Sequence, residues 1–97
     1  MYLWLVTVRA ADGETDRVRA LLRDRLLPLL RAQPGCGESR LAACVHCAGE
    51  QTYLATWPSE AAVAAFEASP SYLAVVEALA PHLRVPPKRE LWALLDG

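Results

Sequence analysis

The residue order predicts an α+β protein, an antiparallel sheet with helices laid against one face. Three observations carry that expectation. Residues 2 to 8 read Tyr2-Leu3-Trp4-Leu5-Val6-Thr7-Val8, an aromatic and β-branched run suited to a strand. Apolar residues then recur at spacings of three and four from Val18 to Leu30, which marks one face of a helix. Residues 40–47 and 51–57 are two further strand-like runs, and the turn between them holds Ala48-Gly49-Glu50, which makes a hairpin.

The first strand is apolar on both faces. Alternation sends Tyr2, Trp4, Val6 and Val8 one way and Leu3, Leu5 and Thr7 the other. It ends near Arg9. Asp12 is the expected N-cap of the first helix, with Glu14 and Asp16 near the positive end of its dipole. Val18, Leu21, Leu22, Leu26, Leu29 and Leu30 form its apolar stripe. The arginines Arg17, Arg19, Arg23 and Arg31 fall mostly outside that stripe, on a solvated face. Pro28 has no N–H to donate to the Asp24 carbonyl, so a kink or a tightened last turn is expected there. Gln33-Pro34-Gly35 stops the helix.

After the hairpin, Ser59 caps a short helix whose buried face is Ala62, Val63 and Phe66. Ser69-Pro70 opens another, expected to turn Leu73, Val76, Leu79 and Leu83 inward. Pro86-Pro87 closes the helical region, and residues 89–95 form the last strand. The order strand, helix, strand, strand, helix in two pieces, strand is the split β-α-β pattern of a ferredoxin-like fold. With 97 residues and neither repeat nor linker, a single domain over residues 1–97 is expected.

A chain of this size buries roughly 65% of the surface that its unfolded form exposes. Its helices can cover one face of the sheet and leave little for the second. The hydrophobic fraction of 54% agrees with a second copy of the chain covering that face as a homodimer. A net charge of −1 gives no reason to expect nucleic acid or an anionic membrane as partner. No run of about 20 apolar residues is present to span a bilayer, and the N-terminus lacks a signal-peptide pattern. Three cysteines, an odd count, suit reduced thiols in a cytoplasmic protein.

Cys44-Val45-His46-Cys47 invites a metal or redox reading. Alternation along the hairpin strand puts Cys44 and His46 on one face and Cys47 on the other, so they do not converge on one ion. A redox C-x-x-C belongs at a helix N-terminus and this one is in a hairpin strand, so neither a metal site nor a redox role is expected, and the cysteines are read as small buried hydrophobes. Hydrolase, kinase and dehydrogenase signatures are missing. His82 has two readings: a surface residue favoured by a helix C-terminus, or a proton acceptor at a cavity mouth and hence the candidate catalytic residue. Of the aromatic residues, Tyr53, Trp57, Phe66 and Tyr72 are the candidates for binding a small molecule. Tyr72 and Trp57 each carry a polar atom that needs a partner when buried.

Three segments together carry a family likeness: Ala32-Gln33-Pro34-Gly35-Cys36, then Tyr53-Leu54-Ala55-Thr56-Trp57-Pro58-Ser59-Glu60, then Phe66-Glu67-Ala68-Ser69-Pro70. On these the chain resembles the antibiotic biosynthesis monooxygenase superfamily over about residues 1 to 95. The resemblance implies a dimeric α+β barrel, two ferredoxin-like chains packed sheet to sheet with a pocket in each. It also implies oxidation of a small hydrophobic phenolic, quinol or polyketide-type compound by molecular oxygen without a cofactor. A non-catalytic dimeric small-molecule-binding or stress-response module of the same fold is the alternative. Haem-degrading relatives carry tryptophan and histidine where this chain has Phe66 and Val76, and valine does not ligate iron. Relatives that oxidise polyketides share Trp57. Their asparagine falls on Tyr53, and their tyrosine and arginine fall on Val63 and Glu77.

Overall fold

The computed structural model describes residues 1–96. Strand β1 (Tyr2–Arg9) lies at the centre of a four-stranded sheet in the order β2-β3-β1-β4, where β2 is Ser39–Ala43, β3 is Glu50–Trp57 and β4 is Lys88–Ala93. Every pairing is antiparallel. Helices α1 (Thr15–Leu21), α2 (Leu27–Arg31), α3 (Glu60–Glu67) and α4 (Pro70–Leu79) cover one face, and the architecture is the expected ferredoxin-like α+β fold. No single helix among the described residues is long and apolar enough to cross a membrane.

The alternation read from β1 is what separates the two faces. Trp4, Val6 and Val8 are buried against the helices, together with Tyr53, Ala55 and Trp57 of β3. The opposite face carries Leu3, Leu5 and Thr7 in register with Thr56, Leu54 and Thr52 on one side and with Trp92, Glu90 and Lys88 on the other. Leu5 is partly covered within the chain, and Trp92 is 57% exposed. A hydrogen bond of 3.0 Å joins the Thr7 and Thr52 hydroxyls on this face.

Several local expectations change. Asp12 does not cap α1. The chain turns at Asp12-Gly13, with the Glu14 N–H donating to the Ala11 carbonyl (2.9 Å), so the helix starts two residues later and has no side-chain cap. The region before Pro28 widens instead of tightening. Leu22–Leu26 is a π-helical turn between α1 and α2, in which the Leu27 N–H reaches back to the Leu22 carbonyl. Ser59 and Ser69 cap α3 and α4 as expected, accepting from the Ala62 and Tyr72 N–H groups at 3.1 and 3.3 Å. In α4 the buried residues are Tyr72, Val75 and Leu79, so Leu79 is inward as expected; Val76 and Leu83 are partly buried against the core, Leu73 is 53% exposed, and Tyr72 and Val75 take the fully buried places.

The hairpin is shorter than its apolar run. Strand β2 stops at Ala43, which pairs with Gln51, and residues 44–49 form the turn, closed by Gly49 at a positive φ of 79°. Cys44 and Cys47 are therefore exposed turn residues joined to each other as a disulfide, neither buried nor reduced. The face argument for them lapses, because they do not lie on a strand. Cys36 alone is a free thiol; it is partly buried, and burial pushes its pKa up.

Candidate functional site

Tyr2↔Trp57, Trp4↔Ala55 and Val6↔Tyr53 are paired in register, which brings Trp4, Tyr53 and Trp57 together on the covered side of the sheet. The Ser59 cap starts α3 so that Phe66 and Glu67, in its last turn, reach these rings. The Ser69 cap and Pro70 start α4 so that Tyr72 reaches them in its first turn. The result is a closed aromatic cluster centred on Trp4. The rings of Tyr53, Phe66 and Tyr72 lie 5.5, 5.6 and 5.6 Å from it and that of Trp57 6.3 Å, mostly tilted or edge-on. Phe66 and Tyr72 approach to 4.8 Å. All five residues are buried.

The polar atoms of the cluster are arranged at its rim. The Tyr53 and Tyr72 hydroxyls share a hydrogen bond of 2.8 Å. Burial pushes both phenols above their ordinary pKa, Tyr53 well above it, so both stay neutral. Trp4 Nε1–H donates to Glu67 Oε2 at 3.2 Å. The same carboxylate accepts two hydrogen bonds from Arg89, from Nε at 2.6 Å and Nη2 at 3.0 Å. This bidentate pair holds the Arg89 pKa up and sets a charged clamp over Trp4, half in solvent. Two buried polar atoms have no partner among the described residues, Trp57 Nε1 and Ser39 Oγ. Ser39 pairs with Ala55, two residues before Trp57, so both belong to one end of the sheet's covered side.

Of the candidates read from the sequence, Tyr53, Trp57, Phe66 and Tyr72 are thus brought into one cluster, and His82 is not. It ends the 3-10 turn Ala80–His82, ten residues beyond Tyr72 and ~15 Å along the helix axis at helical rise. There its Nδ1 lies 3.3 Å from Glu14 Oε2. Sequence reasoning missed Glu67 and Arg89 as parts of the site. The signal for Glu67 was its place beside Phe66. Nothing local marks Arg89, which reaches the site through the register Val6↔Arg89.

The rings themselves fill the space between sheet and helices. Two surface clefts of about 340 Å³ open elsewhere, one beside Thr7, Arg9, Glu50 and Lys88 and one beside Leu83 and Pro86. Among the described residues no group of three His, Cys, Asp or Glu side chains is placed to hold a metal ion. A Tyr72→Phe substitution leaves the Tyr53 hydroxyl buried without a partner. It is expected to cost about 1–3 kcal/mol in urea denaturation, and the double change Tyr53→Phe with Tyr72→Phe is expected to recover part of that loss.

The fold and cluster define an α+β protein of ferredoxin-like class whose covered sheet face carries aromatic rings and a carboxylate–guanidinium pair. The family model for antibiotic biosynthesis monooxygenase matches residues 1–78, and the chain belongs to that family. A crystal structure of an antibiotic biosynthesis monooxygenase is similar at a TM-score of 0.86 and 21% identity, with 98% of this chain and 99% of that one covered. Rv0793 from Mycobacterium tuberculosis gives 0.86 at 24% identity over 99% and 96% of the two chains. A structure from Deinococcus radiodurans gives 0.89 at 17% over 100% and 95%. At these identities the likeness speaks for the fold. A search of the curated proteins gives no significant match.

Proposed function

We propose that the chain is a cofactor-independent monooxygenase that oxidises a small hydrophobic phenolic, quinol or polyketide-type compound with molecular oxygen. The observation that carries this reading is the buried Tyr53–Tyr72 hydroxyl pair beside the Trp4–Glu67–Arg89 clamp. An aromatic wall of Tyr53, Trp57, Phe66 and Tyr72 suits a flat apolar ring, and the unpartnered Trp57 Nε1–H is a donor for a substrate oxygen. The substrate, once deprotonated, is itself the reductant of oxygen. A methylene and O2 become a carbonyl and water, one oxygen atom going to each product. The protein supplies orientation, a proton acceptor and a dry site.

Glu67 is the carboxylate in contact with the rings and takes the substrate proton in this scheme, while Arg89 favours the resulting anion. His82, at the end of the 3-10 turn that follows α4, stands too far away for a direct transfer and pairs with Glu14. Entry of a substrate requires α3 and α4 to part from the sheet. We also place a second copy of the chain on the open face, where Leu3, Leu5, Leu54 and Trp92 would otherwise meet water.

Oxygen uptake in metal-free buffer with a panel of hydroquinones and anthrones tests the scheme. The expected result is turnover above the uncatalysed rate for at least one compound, reduced on the order of 100-fold or more in Glu67→Gln. The closed packing of the rings favours a second reading, a non-catalytic module of the same fold that fills the site with its own side chains. Neither oxygen uptake nor quenching of tryptophan fluorescence with any member of the panel would decide for that module, whereas quenching without uptake would decide for a binding role.

A further inference from the structure

The turn between β2 and β3 holds a reactive group unrelated to the aromatic cluster, at the opposite end of β3 from Trp57. Cys44 and Cys47 are exposed, joined as a disulfide, and have Cα atoms 5.1 Å apart. The turn is also closed by backbone hydrogen bonds that do not involve the sulfurs. The Cys44 N–H donates to the Glu50 carbonyl at 2.9 Å, the Glu50 N–H to the Cys47 carbonyl at 3.1 Å, and the Ala10 N–H to the Gly49 carbonyl at 2.9 Å. With these bonds kept, opening the disulfide would leave the two thiols side by side and ready to close again.

We propose that Cys44 and Cys47 form a reversible dithiol–disulfide couple that exchanges with small or protein dithiols. A bridge with a sequence separation of three constrains the unfolded chain far less than one closing a long loop, so little opposes its reduction. Both cysteines are also open to attack. A thiolate of the reductant attacks one sulfur, forms a mixed disulfide and releases the other sulfur as a thiolate. The reductant's second thiol then displaces the protein sulfur and leaves as a cyclic disulfide. In sum, two electrons and two protons pass from the reductant to the protein. Cys36 takes no part, being partly buried and held toward its neutral thiol by that burial.

The test equilibrates the whole chain with reduced and oxidised dithiothreitol at a series of ratios, quenches in acid, denatures and labels free thiols with a maleimide for mass analysis. One labelled thiol is expected at the oxidising end and three at the reducing end, in a single two-electron transition that Cys36→Ser preserves and Cys44→Ser abolishes. Far-ultraviolet circular dichroism is expected to match at both ends, since the turn is held by its backbone. Three labelled thiols at every ratio, a bridge that survives the most reducing buffer in the folded chain, or pairing of Cys36 with either partner would each overturn the proposal.

Discussion

Replacing Trp4 with alanine is expected to remove about 3–5 kcal/mol of stability, the range for emptying a buried aromatic site. The position makes the upper part of that range the expectation. Trp4 is fully buried on the central strand and touches four other rings, so the cavity it leaves is walled by β3, α3 and α4, which cannot all collapse into it. The change also removes the indole donor to Glu67, which stays paired with Arg89. For a domain of this size such a loss is a large part of the whole folding free energy. Chemical denaturation of Trp4→Ala and Trp4→Phe separates the effects. The phenylalanine variant keeps most of the ring contacts and loses the donor, so it should fall well short of the alanine loss. Equal losses would show that the packing around Trp4 contributes little.

The second large effect concerns association. Leu5→Glu places a carboxylate at the middle of the open face, directly opposite Glu90 on β4. In the single chain this site is only partly covered, so the fold should survive with an unchanged circular dichroism spectrum. In a dimer joined through that face, two new carboxylates are shut away from water without partners. Such a burial costs on the order of 3 kcal/mol or more, which raises the dissociation constant at least about 100-fold. Sedimentation velocity at micromolar concentration is expected to show a dimer for the parent chain and a monomer for the variant. A parent chain that sediments as a single copy would remove the sheet-to-sheet pairing from the scheme.

How much could be read without the structure depended on the range of the interaction. Alternation along β1 separated the two faces correctly, because a strand's period of two admits only one assignment once Trp4 is inside. The serine caps of α3 and α4 were equally legible, since a cap is a contact between residues three apart. The buried side of α4 was legible only at Leu79 and, in part, at Val76 and Leu83. Its residues are apolar most of the way round, so the stripe through Leu73 and the one through Tyr72 are equally helical. The contact of Tyr72 with Tyr53, 19 residues away, chooses between them. The Cys44–Cys47 turn was lost for a related reason. Its residues suit a strand, yet the pairing of Ala43 with Gln51 ends the ladder before them. The clamp on Trp4 joins Glu67 and Arg89, 22 residues apart, and depends on the register of the last strand, which no local pattern reveals.

The wide turn at Leu22–Leu26 has a bearing on which sequence changes this chain can tolerate. Val18, Leu22, Leu26 and Leu30 are all buried, at uniform steps of four. In a regular α-helix each such step overshoots a full rotation by about 40°, so side chains so spaced would spiral away from the sheet. The slower winding of the wide turn takes back part of that rotation and keeps the four in line. Loss of a single residue there would swing Leu30 and everything behind it about 100° around the axis. Length in this segment is therefore under tighter constraint than residue identity, the reverse of what holds in most surface connections.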